Sequence, residues 1–216
     1  LNWRKLEENF GTESEYLGFL RDSPSAAQRL CHVLSNSRFL GDALNKSVES
    51  VTWLGNDEEL KPRTRESLDI QTKAALERNA GSISDFANSV RVMRRHEIER
   101  IGLAWMSGVT DDATSLAGMT DVYDAIIEAS LRWAIRHQLD EMRFDEAPAA
   151  ITVIGMGRYG GREVNFSSDA DVIIIYRPTE EADDGQANLF ARKVQEDLRA
   201  ILQGPTTFEP KIELDM

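Results

Sequence analysis

Along the first two thirds of the chain, apolar residues recur at three- and four-residue intervals, the pattern of helices that bury one face. Ser23-Pro24-Ser25 places an N-cap and an N1 proline ahead of AAQRLCHVL. Ser84-Asp85 precedes FANSVRVMRRHEIERIGLAWM, in which Phe86, Val90, Met93, Ile98, Ile101 and Trp105 approximate a stripe. Thr120 or Asp121 is placed to cap VYDAIIEASLRWAIRHQLDEM, where Ile127, Leu131 and Ile135 keep four-residue spacing. GNDEELKPRTRES is polar, contains proline and reads as a connection between helices. From about Ala147 the character changes. ITVIG and DVIIIY are short β-branched runs of the kind found in buried strands. NLFARKVQEDLRAILQ returns to helical spacing between Asp184 and Gln203, Gly204-Pro205 ends it, and FEPKIELDM is extended. The order is a helical region, then strand, glycine loop, strand, helix, strand. It predicts an α+β fold, with a helical domain over 1–145 and a second domain over 146–216 built on a small mixed sheet.

The loop between the first two strands carries Gly155-Met156-Gly157-Arg158-Tyr159-Gly160, formally G-x-G-x-x-G. A dinucleotide-binding turn opens a full helix and leads to a parallel strand with its acid near the carboxyl end. Here only Gly161 to Ser168 separate Gly160 from Asp169, too few for a helical crossover, and the acids stand at the start of the next apolar run. The dinucleotide reading fails on geometry. Asp169 and Asp171 are two apart at a strand entry, so both project from one face. Paired carboxylates on a rigid edge suit a hard cation such as Mg²⁺, which completes its shell with waters and the phosphate oxygens of a nucleoside triphosphate. Gly157, Gly160 and Gly161 would let backbone N–H groups approach phosphate, with Arg158 or Arg162 adding a cation. In KIELDM, Asp215 is placed to be a third acid if its strand lies beside DVIIIY; Glu213 alternates with it, points the same way and competes for the role. The plainer readings are surface strand acids for Asp169 and Asp171, a solitary acid for Asp215, and solvated loop charges for the arginines.

Composition narrows the partners. A net charge of −12 argues against a broad grip on nucleic acid, though not against an anionic ligand held through a bound cation. No apolar run approaches the roughly 20 residues that span a bilayer. No signal-peptide pattern opens the chain, and the single cysteine, Cys31, precludes an intramolecular disulfide. We therefore expect a cytoplasmic protein that engages neither membrane nor nucleic acid. Leu1 is not an initiator methionine and Met216 falls within an extended run, so a piece of a longer protein is expected. His32, His96 and His137 share no metal-ligand spacing, Cys31 reads as a small core residue, and Trp3, Trp53, Trp105 and Trp133 read as core or domain-contact residues. Arg94-Arg95-His96-Glu97 with Arg100 reads as a solvated helix face with i, i+3 pairing, the alternative being the lining of a cleft that faces a nucleotide or a protein substrate.

The run GMGRYGGREVNFSSDAD resembles the signature of the glutamine synthetase adenylyltransferase family, within the DNA polymerase β-type nucleotidyltransferase superfamily. The likeness extends to TESEYLGFLRDSPSAAQRLCHVLSNSRFLGDAL and RVMRRHEIERIG. The resemblance implies a polymerase β-like α/β catalytic domain over 146–216. It implies Asp169, Asp171 and Asp215 as catalytic metal ligands, and Gly157, Arg158, Gly160, Gly161 and Ser168 around the triphosphate. Many superfamily members carry Gly-Ser in the loop, whereas here Arg158 follows Gly157. Family members hold two such modules: one transfers AMP from ATP to a tyrosine of glutamine synthetase, and the other removes it with phosphate, releasing ADP. The lead-in is more similar to that of the C-terminal, adenylylating half. The resemblance thus implies Mg²⁺-dependent AMP transfer with release of pyrophosphate, in the control of nitrogen assimilation. The alternatives are deadenylylation at the same kind of site, and a module that senses nucleotide or partner without turnover. In the family the pattern continues beyond the third acid. A shortened catalytic domain is therefore implied, its activity on its own is open, and regulation by PII-type signalling proteins would act through the full-length enzyme.

Overall fold

Serine and threonine side chains between the apolar stripes set where several helices start. The computed structural model describes residues 14–166, 168–180, 182–204 and 212–215. Helices α1 (Ser14–Asp22), α2 (Pro24–Asn36) and α3 (Arg38–Lys46) follow one another with single-residue breaks. Pro24 stands at the start of α2, although the Ser23 side chain makes no cap bond. Ser37 caps α3, its hydroxyl accepting from Leu40 N at 3.1 Å. A 3₁₀ helix spans Val48–Gly55; a single turn, α4 (Asp57–Leu60), lies within the segment expected to be only a connection, and Thr64 then caps α5 (Arg65–Arg78). The long helices are α6 (Ile83–Met106) and α7 (Asp112–Met142). Asp111, not Thr120 or Asp121, heads α7: its carboxylate accepts from Thr114 N at 2.8 Å. The strands and remaining helices are β1 (Ala149–Gly155), the one-turn α8 (Gly157–Gly160), β2 (Ala170–Pro178), α9 (Asp184–Gln203) and β3 (Leu214–Asp215). The observed class is α+β, predominantly helical with a three-stranded mixed sheet.

The chain divides into two compact units, each discontinuous in sequence because α6 and α7 contribute to both. The first comprises Leu1–Arg63 and His96–Gly118. Its core joins Leu30, Leu44, Leu54 and Leu60 to Leu103. Arg29 ties the 3₁₀ helix to α4, donating to the Leu54 carbonyl at 2.9 Å and to Asp57 at 2.6 Å. Arg100 lies 4.0 Å from the Trp53 ring centroid, pairs with Glu97 at 3.2 Å and donates to the Glu59 carbonyl. Arg94, Glu97 and Arg100 are all buried, so the charged run of α6 is not a solvated face. Arg94 occupies the four-residue spacing between Val90 and Ile98, on the buried stripe of the helix.

The second unit comprises Thr64–Arg95 and Met119–Met216. Strands β1 and β2 are antiparallel, with Gly155 opposite Val172 and Ala149 opposite Pro178. Strand β3 adds parallel to β2, with Ala170 opposite Leu214. One face of the sheet packs through Ala149 and Ile151 onto Ala187, Phe190 and Val194 of α9 and Ala134 of α7. On the other face Ile154, Ile173 and Ile175 are exposed, so the strands expected to be buried are buried on one side only among the described residues. Trp133 stacks on Phe86 and on His137, whereas Trp105 and Cys31 are exposed, contrary to the core roles expected of them. Trp3 lies outside the described residues. No helix among the described residues is long and apolar enough to cross a membrane.

Candidate functional site

The site begins with the entry to β2. Ala170 is fully buried and its N–H donates to the Glu213 carbonyl at 2.8 Å, the first bond of the β2–β3 ladder. Alternation then places Asp169 and Asp171 together on the opposite side of the strand from Ala170. Parallel pairing sets Asp171 directly beside Asp215, on backbones about 4.8 Å apart. Asp169 and Asp215 are exposed and Asp171 half-buried. Glu213 commits its carbonyl to the ladder while its side chain is exposed. No group of three acidic, histidine or cysteine side chains among the described residues is close enough to hold a metal ion, so the acids share an edge without converging on one point.

The glycine loop rides on this edge. Met156 N–H donates to the Asp171 carbonyl at 2.8 Å, and Gly157 follows at φ +50°. A Cβ at Gly157 would collide with Asp171 Oδ2, so only glycine lets the loop backbone lie against that carboxylate. At Gly160 a Cβ would strike the Gly155 carbonyl, which keeps the loop folded back on β1. The N–H groups of Gly160 and Gly161 close the turn onto Met156 and Gly157 carbonyls at 2.7 and 3.0 Å. Those of Gly157, Arg158 and Tyr159 head the turn, where a helix has no internal acceptor to offer them. The Arg158 side chain is exposed beside them.

Helix α7 supports the loop through Tyr123 and Asp124, which the sequence reading did not single out, and through Thr120 and Asp121, which it named only as caps. Arg162, at φ +60°, pairs with Asp121 at 2.6 Å and Asp124 at 3.5 Å; the bond to Asp121 raises its already high pKa further. It therefore pins the loop to α7, while Arg158 is the loop arginine that faces solvent. Tyr159 is buried and donates to Asp124 at 2.7 Å; burial first, and then the Asp124 carboxylate, push its phenol well above the ordinary range. Thr120 accepts from Val164 N at 3.4 Å. The Ser168 hydroxyl accepts from Asn165 N at 3.0 Å and its carbonyl accepts from Tyr123 OH at 3.1 Å, so Ser168 shapes the approach to Asp169. Tyr123 and Asp124 sat in an apolar helical run, and no motif marked them.

The donor set fits a hard divalent cation. Asp169 at the entry to β2, Asp171 within it and Asp215 on the neighbouring β3 offer oxygen only, the ligand class such a cation takes. Asp169, Asp171 and Asp215 are the residues that would hold it.

Comparison with known proteins follows the same lines. A family model described as glutamate-ammonia ligase adenylyltransferase matches residues 27–216. A protein of Bifidobacterium longum strain NCC 2705, named bifunctional glutamine synthetase adenylyltransferase/adenylyl-removing enzyme, is 76% identical over the whole chain, which covers 20% of that protein. The protein of the same name from Mycobacterium tuberculosis strain H37Rv is 36% identical over the whole chain, covering 22% of its length. That of Leifsonia xyli is 39% identical over 82% of the chain and 17% of its own. The chain thus spans about a fifth of the length of these relatives. A family match over residues 27–216, together with relatives 36–76% identical over the whole chain, establishes that the chain belongs to the glutamate-ammonia ligase adenylyltransferase family, whose members are nucleotidyltransferases.

Proposed function

We propose that this edge transfers AMP from ATP to a tyrosine hydroxyl of glutamine synthetase, releasing pyrophosphate and so regulating nitrogen assimilation. The observation that carries the reading is the in-register pairing of Asp171 with Asp215 beneath a loop whose glycine lies on the Asp171 carboxylate. The names of the relatives support glutamine synthetase as the acceptor and a nucleotide as the donor. The relatives are bifunctional; the adenylylating direction rests on the resemblance of the lead-in to the C-terminal half. The catalytic segment is 146–216, preceded by the helical region 1–145. The enzyme works in the cytoplasm, without nucleic acid or membrane, and PII-type proteins act on it through the full-length chain.

Mg²⁺ bound by Asp169 and Asp171, with Asp215 as third ligand, would neutralise charge on the triphosphate and orient it. The chain's own groups do the remainder. The loop at Gly157, Gly160 and Gly161 brings backbone against the phosphates, Arg158 adds a cation there, and Ser168 fixes the path into Asp169. Asp215 takes the proton from the incoming tyrosine hydroxyl. As the tyrosine O–P bond forms at the α-phosphorus, the bond from the α-phosphorus to the bridging oxygen breaks, and pyrophosphate leaves opposite the nucleophile.

Label transfer from α-³²P-ATP to purified glutamine synthetase, catalysed by the full-length protein with Mg²⁺, tests the direction and the acceptor together. An Asp169→Asn, Asp171→Asn double variant serves as control. Label that appears on the synthetase and disappears in the control is the expected result. Label unaffected by the control, or formation of ADP from AMP-synthetase and phosphate that the control abolishes while transfer continues, would overturn the assignment to this site.

A further inference from the structure

We infer that the first half of α6 braces the carboxylate edge at both ends through two buried arginines, making Arg94 a positioning residue for Asp169 and Arg91 one for Asp215. The inference rests on the reading of these acids as the metal-binding edge. Arg91 and Arg94 stand nearly one turn apart, 4% and 5% exposed. A buried guanidinium is retained against a desolvation cost that an aliphatic side chain would avoid. What the aliphatic side chain lacks is a donor, and both arginines donate toward the strand edge.

Arg94 Nη2 donates to the Tyr123 hydroxyl at 2.8 Å, with the guanidinium 5.2 Å from the ring centroid. Tyr123 has one hydroxyl proton; receiving a bond from Arg94 leaves that proton for the Ser168 carbonyl at 3.1 Å. Ser168 immediately precedes Asp169, and its own N–H and hydroxyl close on Asn165 at 3.2 and 3.0 Å. On the far side of Asp169, Ala170 N is held by the Glu213 carbonyl. Asp169 is outside the ladder, yet the peptides on both sides of it are anchored.

Arg91 Nη2 donates to the Ile201 carbonyl at 2.6 Å and reaches the Ala200 carbonyl at 3.4 Å. These belong to the last turn of α9, where the Ala200 carbonyl also accepts from Gly204 N at 3.1 Å and a cation is favoured by the helix dipole. The same turn carries β3: Leu202 O accepts from Ile212 N at 3.2 Å, and Gln203 Nε2 donates to the Leu214 carbonyl at 3.0 Å. Asp215 is the next residue. One short stretch of helix therefore reaches both sides of the acid edge, by hydrogen-bonded chains with no aliphatic substitute.

Direct titration of the full-length protein with Mn²⁺, followed by electron paramagnetic resonance, tests this without relying on turnover. The component lost in Asp169→Asn reports the site. Tyr123→Phe and Arg91→Lys are expected to weaken that component by about 10-fold. Trp133→Phe, which removes a donor to the Asn79 carbonyl elsewhere in the same unit, is expected to leave it unchanged. Binding unaltered in Tyr123→Phe, or weakened equally in Trp133→Phe, would overturn the inference while the metal-binding reading stands. Absence of any Asp169-dependent component would remove both. Should Arg91→Lys fail to fold, Tyr123→Phe decides the matter, since it keeps the ring and deletes one oxygen.

Discussion

Gly157 shows how tightly a single position can be specified. Left-handed backbone costs a residue with a Cβ about 1–2 kcal/mol, and here that Cβ would also meet the Asp171 carboxylate. Gly157→Ala is expected to lower stability by at least about 1 kcal/mol and to reduce AMP transfer further, because either the loop or Asp171 must move. Urea denaturation and transfer assays on the same preparation check this; an alanine variant with both properties intact would contradict the described loop. At this scale the sequence was informative where a rule of geometry applied. Period-two alternation separated the exposed Asp169 and half-buried Asp171 from the buried Ala170 and Val172. It was uninformative where partners come from distant parts of the chain. Nothing local to Arg162 announces Asp121 and Asp124, and nothing local to Ser168 announces Tyr123.

Among the elements, helix α9 was legible to its C-terminal end at Gln203, because the apolar stripe and Gly204 agree, whereas its cap, Asp183, was not singled out. The start of α7 was not, since Ala113 to Gly118 are mostly small residues without a stripe, and the cap lies at Asp111. Phe190 is the centre of the α9 stripe, fully buried and edge-on to Phe144 at 6.2 Å. Phe190→Ala is expected to cost about 3–5 kcal/mol by equilibrium unfolding, and a loss below about 1 kcal/mol would mean that the helix does not anchor the sheet. Helix α6 carries a pH effect through Glu97. Burial, the larger influence, pushes its carboxyl above the ordinary value of 4.5, against the opposing pull of Arg100 and Arg63. The folded state therefore holds this proton more tightly than the unfolded chain. The resulting stabilisation is full below pH 4.5 and is lost as pH rises through the elevated value. Glu97→Gln removes that titration, so the variant should gain on the wild type as pH is raised from acid toward neutral. Unfolding curves at a series of pH values would expose a constant difference, which would contradict the buried, elevated carboxyl.

For the whole molecule, the charge of −12 and the acidic edge make a cation the natural intermediary between the chain and the triphosphate of the proposed reaction. The class of fold followed from the order of patterns, since helical stripes gave way near residue 146 to two β-branched runs around a glycine loop. The two compact units were beyond a linear reading, because α6 and α7 each serve both and no composition shift marks residues 95 or 118. The chain belongs to the family, and within the structure the parallel pairing of β2 with β3 sets Asp171 beside Asp215. The central claim is that Asp169, Asp171 and Asp215 together form the transfer site. Its most direct test is the rate of AMP transfer to glutamine synthetase by three single variants of the full-length protein, Asp169→Asn, Asp171→Asn and Asp215→Asn, each with its folding verified by circular dichroism. The account predicts that every one of them falls about 100-fold or more. Near wild-type transfer in a folded variant of any of the three would contradict it.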